Sequence, residues 1–252
     1  MNKVNKQDII DLAKQAGDAI MDIYQKDFAV YDKSDASPLT EADLAAHHIL
    51  VEGLERLTDY PVLSEESSEE IKKERLNWEQ YWLIDPLDGT KEFVKKNGEF
   101  TVNVAFIDNG KPTFGVVYAP ALDTLYVGDV NEGAYKQDSN KPIEKITVRE
   151  KPTKTSDYVI VGSRSHQSDE FKAFIADYPD ADIVSMGSSL KLCLVAEGKA
   201  DIYPRLGLTC EWDTGAAHAV VEAAGGVVLH AETNQPLQYN KEDLLNPFFI
   251  VK

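Results

Sequence analysis

The stretch YWLIDPLDGT (residues 81–90) decides the fold predicted from this sequence. An apolar run that ends at an acid is typical of a buried strand. Pro86 fixes one φ angle and Gly89 permits a tight turn, so Asp85 and Asp88 can converge where the strand ends. The sequence therefore places two carboxylates at a strand end, a position where ligands are commonly held.

Two helices are predicted before this strand. Residues 8–24 repeat apolar side chains at helical spacing, and a second helix is predicted from about residue 41, with Thr40 as a candidate cap. The predicted buried stripe of the second helix consists of Leu44, Leu50, Val51, Leu54 and Leu57. After the strand, FTVNVAFID and KPTFGVVYAP flank Asn109-Gly110, a dipeptide typical of two-residue hairpin loops. Helices followed by a mainly antiparallel sheet form an α+β pattern.

Strands and helices alternate in the last part of the chain. YVIVG, DIVSM and ADIYP are predicted strands, and SDEFKAFIADY and SLKLCLVAEG are the helices between them. DTGAAHAVVEAAGG is a further predicted helix, and VVLH and FFIV are further predicted strands. The preceding segment KPIEKITVREKPTKTSD is polar and contains two prolines. The sequence thus predicts two lobes: residues 1–155, with most of the candidate metal ligands, and an α/β lobe over residues 156–252.

The charge and cysteine content narrow the class of protein. The 252 residues include 26 Lys and Arg against 43 Asp and Glu, a net charge of −17 that argues against a nucleic-acid binder. Cys193 and Cys210 are too few for a disulfide scaffold and are expected to be reduced. No stretch approaches the roughly 18 apolar residues of a membrane span, and the first residues contain no continuous apolar run. We expect a cytoplasmic protein. The sequence does not decide between a monomer and a homodimer, nor whether the protein associates with the inner membrane face.

Three separate segments can supply metal ligands. Asp85 and Asp88 are hard oxygen ligands at a spacing that suits Mg²⁺, and the backbone carbonyl of Leu87 can add a third. Glu65 in LSEES follows a short apolar segment, and Asp213 opens a predicted helix. A solvated acidic turn with a helix cap is the alternative for D-x-x-D-G, because such turns are common. We expect the nearby acidic run to be a solvated face: Glu66, Glu69, Glu70 and Glu74.

Three motifs in this order resemble those of a known family. LSEES (63–67), WLIDPLDGTKEF (82–93) and EWDTGAAHAVVEAAGG (211–226), with SPLTEAD upstream, resemble the lithium-sensitive, Mg²⁺-dependent phosphomonoesterases of the inositol monophosphatase superfamily. The resemblance implies a layered α-β-α-β-α sandwich of the inositol monophosphatase and fructose-1,6-bisphosphatase type. It implies two or three Mg²⁺ ions and inhibition by Li⁺. The metal ligands that it implies are Glu65, Asp85, the Leu87 carbonyl, Asp88 and Asp213.

The same resemblance implies the residues that activate water. It gives Thr90 and Asp43 the base role in attack on phosphorus. From the residues alone, Thr90 could instead cap a short helix, and Asp43 could satisfy the dipole of its own helix.

Further motifs indicate which phosphate ester is cleaved. KEF after Thr90, GSRSHQS (162–168) and GSSLKL (187–192) are similar to the CysQ-like 3′(2′),5′-bisphosphate nucleotidases. This similarity implies hydrolysis of adenosine 3′,5′-bisphosphate to AMP and phosphate in sulfur assimilation or nucleotide recycling, and an extension to 3′-phosphoadenylyl sulfate. A second phosphate far from the metals requires local cations in an acidic protein. The candidate substrate contacts are Gly89, Ser163, Arg164, His166, Gly187, Lys191 and Arg205. The alternatives are an inositol or other sugar phosphatase and a non-catalytic phosphonucleotide sensor.

Overall fold

The structure is a computed structural model that describes residues 4–26, 38–162 and 168–252. Its helices are α1 (Lys6–Tyr24), α2 (Pro38–Leu57), α3 (Glu69–Glu74), α4 (Thr90–Val94), α5 (Asp169–Ile175), α6 (Leu190–Ala196) and α7 (Glu211–Ala223). The strands of the first part are β1 (Val62–Ser64), β2 (Gln80–Asp88), β3 (Thr101–Asp108), β4 (Lys111–Ala119), β5 (Thr124–Asp129), β6 (Gly133–Asp138) and β7 (Glu144–Ile146). The strands of the last part are β8 (Val159–Gly162), β9 (Asp182–Ser185), β10 (Tyr203–Arg205), β11 (Val228–His230) and β12 (Phe249–Val251).

Strands β1 to β7 form one sheet in chain order. Only the β1–β2 pair is parallel, and the other pairs are antiparallel. The predicted hairpin joins β3 and β4, and Asn109 and Gly110 have the positive φ angles expected of its loop, 49° and 75°. The structure adds a strand that was not predicted, because β7 lies inside the polar segment before the expected lobe boundary. Only Ile146 of this short edge strand is buried, so the sequence shows no alternation there.

Helices cover both faces of the large sheet. Trp82 and Ile84 of β2 belong to the core that α1 and α2 close. Tyr81 and Leu83, which alternate with them, belong to the core that α6 and α7 close. Successive strand residues point to opposite faces, so the continuous apolar run of β2 reflects burial on both sides.

The predicted apolar stripe of α2 is partly wrong. Leu50 and Leu54 are fully buried as expected, but Leu44 is 39% exposed. Ala42 and Ala46 are fully buried in its place. Small side chains on this face let the helix lie close to its neighbours, so the buried stripe does not follow the largest apolar residues.

The last part of the chain adds two small sheets. Strands β8 and β9 are parallel, and β10, β12 and β11 form an antiparallel sheet. An isolated parallel bridge between Ile160 and Ile202 connects the two regions. Val161 faces the core with α6 and α7, whereas Ile160 packs with Phe171 of α5. The layers are thus α1–α2, the large sheet, α6–α7, the small sheets and α5, which confirms the α+β layered sandwich. The division of the chain at residue 155 stays a prediction.

Helix α7 touches the large sheet backbone to backbone. A Cβ added at Gly115 of β4 would lie 2.1 Å from the carbonyl oxygen of Ala216. A Cβ added at Gly128 of β5 would lie 2.4 Å from the Cα of Val220. No side chain larger than hydrogen fits at either position unless α7 moves, so the two glycines set the height of this helix above the sheet.

Among residues 4–26, 38–162 and 168–252, no helix is both long and apolar enough to cross a membrane. Cys193 and Cys210 are both free, as expected.

We predict that Gly115→Ala lowers the free energy of unfolding by about 2 kcal/mol or more, because the new methyl group overlaps the Ala216 carbonyl. Denaturant unfolding followed by circular dichroism measures this change. The matched control is Gly207→Ala, since a Cβ there would have its nearest neighbour at 3.8 Å and should change stability little. Equal stability of the two variants would contradict the close approach of α7.

Candidate metal centre and adjoining cavities

Strand β2 is irregular at its end, where it carries Asp85 and Asp88. The register of β2 on β3 shifts between Asp85 and Asp88. Asp85 is buried, and its Oδ1 accepts a hydrogen bond from the Leu87 N–H at 3.0 Å. Gly89 has φ of 91°, a conformation that favours glycine and ends the strand. The chain therefore turns directly after Asp88, with Asp85 on the buried side of the turn.

Three carboxylates from three segments meet. One oxygen of each of Glu65, Asp85 and Asp213 lies within 4.8 Å of the others. Glu65 follows β1 and is placed by its N–H, which donates to the Ile84 carbonyl at 3.2 Å. Asp213 lies in the first turn of α7, and its Oδ2 accepts from the Cys210 N–H at 2.7 Å. The structure thus brings together three of the four carboxylates predicted as ligands.

The donor set of this cluster fits a divalent cation. Asp85 Oδ2 is buried and has no hydrogen-bond donor among the described residues. A buried, unpartnered carboxylate oxygen is costly unless it binds a cation or a proton. The neighbouring groups are carboxylates too, and oxygen ligands of this kind are those that Mg²⁺ prefers. The Leu87 carbonyl stays a predicted ligand.

Mutual repulsion and burial shift the titration of the cluster. Burial, followed by the charge of Asp88, raises the pKa of Asp85 well above its usual range. Burial and the charge of Asp213 raise the pKa of Glu65 to about 7. Burial and the charge of Asp88 raise the pKa of Asp213 to about 7. Protons or cations are therefore needed to keep these groups together.

Asp43 of α2 adjoins the cluster. Burial raises its pKa to about 8, and the charges of Glu66 and Glu65 act in the same direction. Its Oδ1 is buried without a hydrogen-bond partner in the described chain. Glu66 was expected on a solvated face; it is exposed, yet it lies close enough to Asp43 for its charge to raise the pKa of that carboxyl. Thr90 is the exposed first residue of α4, a helix that packs against α2. Its role beside Asp43 stays a prediction.

Asp88 stands next to the three-carboxylate cluster. It lines a cavity of about 270 Å³ together with Asp213. Its Oδ2 accepts hydrogen bonds from the Ser188 hydroxyl and from the Ser189 N–H, the latter at 2.7 Å. One carboxylate oxygen is therefore held by the segment before α6.

A second cavity of about 600 Å³ adjoins the first. In the part of the chain that the structure describes, four cationic residues line both cavities: Lys91, Lys95, Lys191 and Arg205. Phe171, Met186 and Tyr203 give part of the second cavity an apolar wall. The cations thus lie between the part of the first cavity that Asp88 and Asp213 line and the apolar wall of the second cavity. An anion could bind here although the whole protein is strongly acidic.

Two of these four cations were predicted from the sequence. Lys191 and Arg205 were predicted; Lys91 and Lys95 were missed. Their four-residue spacing places both on one face of a helix, a signal that KEFVK directly after the aspartates already contains. Burial lowers the pKa of Lys191, whereas the nearby charge of Asp88 opposes this shift. Arg205 donates to the Leu208 carbonyl at 2.8 Å, and its Nε is buried without a partner in the described chain.

The other predicted substrate contacts have different surroundings. Gly89 lines the first cavity. Gly187 lines neither cavity and packs closely on Glu99, whose carbonyl oxygen would lie 2.6 Å from an added Cβ. The three remaining candidates lie outside the described residues: Ser163, Arg164 and His166.

Comparisons with known proteins agree with this architecture. The chain is 48% identical over 248 residues to the 3′(2′),5′-bisphosphate nucleotidase CysQ of Escherichia coli K12, covering 96% of this chain and 97% of that protein. The CysQ of Salmonella typhimurium is 47% identical over 250 residues, covering 97% and 98%. The crystal structure of CysQ from Bacteroides thetaiotaomicron, a bacterial member of the inositol monophosphatase family, superposes with a TM-score of 0.88 at 42% identity and covers 98% of this chain and 96% of that one. The family model of the inositol monophosphatases matches residues 3–248. The chain therefore belongs to the inositol monophosphatase family.

Proposed function

We propose that this protein is a Mg²⁺-dependent phosphomonoesterase that hydrolyses adenosine 3′,5′-bisphosphate to AMP and phosphate. The observation on which the proposal rests is a cavity that Asp88, Asp213 and four cationic side chains line, with Asp213 also part of the carboxylate cluster. The near full-length similarity to proteins named 3′(2′),5′-bisphosphate nucleotidase supports it. Activity on 3′-phosphoadenylyl sulfate, inhibition by Li⁺ and a place in sulfur metabolism belong to the same proposal.

The acidic side chains would hold the metal ions. Glu65, Asp85 and Asp213 would contribute their converging oxygens, and Asp88 would contribute the oxygen that Ser188 and Ser189 leave open. When bound, Mg²⁺ neutralises charge on a phosphate and acidifies water. The fold holds buried carboxylates close together, and a bound cation would reduce the repulsion between them.

The remaining residues would handle the proton and the substrate. Asp43 has a buried, unpartnered Oδ1 and a raised pKa, so this oxygen can accept a proton from the attacking water. Thr90, at the start of α4, is its proposed partner. The charges of Lys91, Lys95 and Lys191 would bind the phosphate that lies away from the metals. Tyr203 and Phe171 offer apolar surface to the nucleoside.

Phosphate release from adenosine 3′,5′-bisphosphate with Mg²⁺ tests this function. We expect faster hydrolysis of this nucleotide than of inositol 1-phosphate, because only the nucleotide reaches the second, cationic cavity. Asp88→Asn should lower kcat/KM by on the order of 100-fold or more, since it removes a ligand charge. Equal or faster hydrolysis of the inositol ester would favour an inositol phosphatase. Binding without turnover in the wild type would favour a non-catalytic sensor.

Lys191→Met tests recognition of the remote phosphate. Loss of a charge-assisted hydrogen bond of about 1.5–3 kcal/mol should lower kcat/KM for adenosine 3′,5′-bisphosphate by roughly 10- to 100-fold. Hydrolysis of adenosine 3′-monophosphate, which lacks that phosphate, should change much less. Lys199→Met is the matched control because Lys199 pairs with Glu197 and lines neither cavity. Equal losses on both nucleotides would contradict the assigned contact.

Mg²⁺ should stabilise the protein more at high pH than at low pH. Without metal, Asp43, Glu65 and Asp213 have pKa values of about 7 to 8, above the values near 4 of an unfolded chain. The folded state therefore binds more protons, and the free energy of unfolding falls as pH rises from about 4 to about 8. Mg²⁺ binds the deprotonated carboxylates. At a Mg²⁺ concentration of 100 times the Kd, the free energy of unfolding should therefore increase by about 2–3 kcal/mol near pH 8, and by less near pH 5.5.

Thermal unfolding with EDTA and with MgCl₂ at both pH values measures this linkage. NaCl at matched ionic strength controls for general screening of the acidic surface. A rise in Tm with Mg²⁺ that is the same at both pH values would argue against binding by these carboxylates.

A further inference from the structure

Ser188 has an unusual backbone for its surroundings. Its φ is 53°, in the left-handed region that side chains with a Cβ rarely adopt. It is also only 9% exposed, whereas Ser139, which has a φ of 47°, lies in an exposed turn. Strained backbone of this kind costs on the order of 1 kcal/mol and persists where the surroundings enforce it. The contacts of Ser188 indicate what enforces it here.

The hydroxyl of Ser188 ends a chain of hydrogen bonds that begins in the sheet. Asn103 Nδ2 donates to Thr101 Oγ1 at 3.2 Å, and Thr101 Oγ1 lies 2.5 Å from Ser188 Oγ. Ser188 Oγ in turn donates to Asp88 Oδ2. A hydroxyl has one proton, so the donation of Ser188 to Asp88 requires Thr101 to donate to Ser188. Every donor in this chain therefore points toward the carboxylate.

The register of the sheet ties this chain to the acidic cluster. On β3, Asn103 pairs with Asp85 and Thr101 pairs with Asp88. Ser189 belongs to the same hydrogen-bond network. Its N–H donates to Asp88 Oδ2 at 2.7 Å, and its hydroxyl donates to Asn103 Oδ1 at 2.8 Å. Asp88 Oδ2 thus has two donors, and the orientation of the carboxylate is set by the segment that precedes α6.

These directions exclude a direct role of the Ser188 hydroxyl as a phosphate donor. Its proton is given to Asp88, so only a lone pair would face an incoming phosphate oxygen, which would be repelled. The protons of Thr101 and Ser189 are likewise given within the network. Within the GSSLKL segment, the Ser188 hydroxyl is thus directed at Asp88 and the Ser189 hydroxyl at Asn103.

We propose that Ser188 is a positioning residue that holds Asp88 Oδ2 and thereby presents the other oxygen, Oδ1, to a divalent cation. This inference rests on the proposed function, in which Asp88 is a metal ligand. The strained backbone of Ser188 is retained because it points the hydroxyl at Asp88. Gly89 makes room for this approach, since an added Cβ there would lie 3.2 Å from the Ser188 Cβ.

The test uses two substitutions at Ser188 that differ in strain but not in chemistry. Ser188→Ala and Ser188→Gly both remove the hydroxyl, and only glycine relieves the backbone. Calorimetric titration of the metal-free protein with MgCl₂ should show a roughly 10- to 100-fold weaker Mg²⁺ affinity in both variants, the range typical of residues that orient metal ligands. In EDTA, Ser188→Gly should have the higher Tm of the two.

Ser139→Ala and Ser139→Gly are the matched controls. Of these two variants, Ser139→Gly should again have the higher Tm, because the backbone strain is similar. Both should bind Mg²⁺ with wild-type affinity. In steady-state assays of the Ser188 variants, the Mg²⁺ concentration for half-maximal activity should rise while KM for the nucleotide stays near the wild-type value.

Four results would overturn the inference. They are wild-type Mg²⁺ affinity in Ser188→Ala, a loss confined to Ser188→Gly, an equal loss in the Ser139 variants, and a raised nucleotide KM with unchanged Mg²⁺ affinity. Each of these leaves the proposed function standing, because the wild type would still bind Mg²⁺ and release phosphate. Absence of both properties in the wild type would instead refute the proposed function and this inference together.

Discussion

Repulsion between buried carboxylates is the constraint around which this protein is organised. Glu65, Asp85 and Asp213 lie close enough to share one ion, and Asp43 and Asp88 adjoin them. Such a cluster opposes folding whenever its members are ionised and uncompensated. The apolar cores on both sides of the large sheet must therefore hold the acids in place. The packing of the surrounding apolar cores, and not any attraction between the carboxylates, keeps a site of this kind ready to bind a cation.

Much of the architecture could be predicted from the sequence because apolar periodicity and turn residues are local signals. The strand before Asp85, the Asn109-Gly110 hairpin and the alternation after residue 156 all correspond to observed elements. The failures have local causes as well. Strand β7 has one buried apolar residue, and the buried stripe of α2 uses alanines where larger residues were expected.

The site was predictable only in part. Asp85 and Asp213 could be named as candidate ligands from their segments, and their convergence follows from the layers that bring α7 onto the sheet. The direction of a hydroxyl was not predictable, since nothing in GSSLKL shows that Ser188 faces Asp88. Lys91 and Lys95 were missed because a short charged helix looks like any solvated helix until a cavity is found beside it.

The glycine contacts of α7 have a consequence for how the protein can vary. Asp213 lies one turn before Ala216, the residue whose carbonyl rests on Gly115. Anything that lifts this helix from the sheet would also withdraw one acidic group from the other two. A substitution at a distant sheet glycine could thus leave every ligand residue intact in the gene and still yield an enzyme that cannot assemble them. Inheritance of the motifs alone does not guarantee inheritance of the activity.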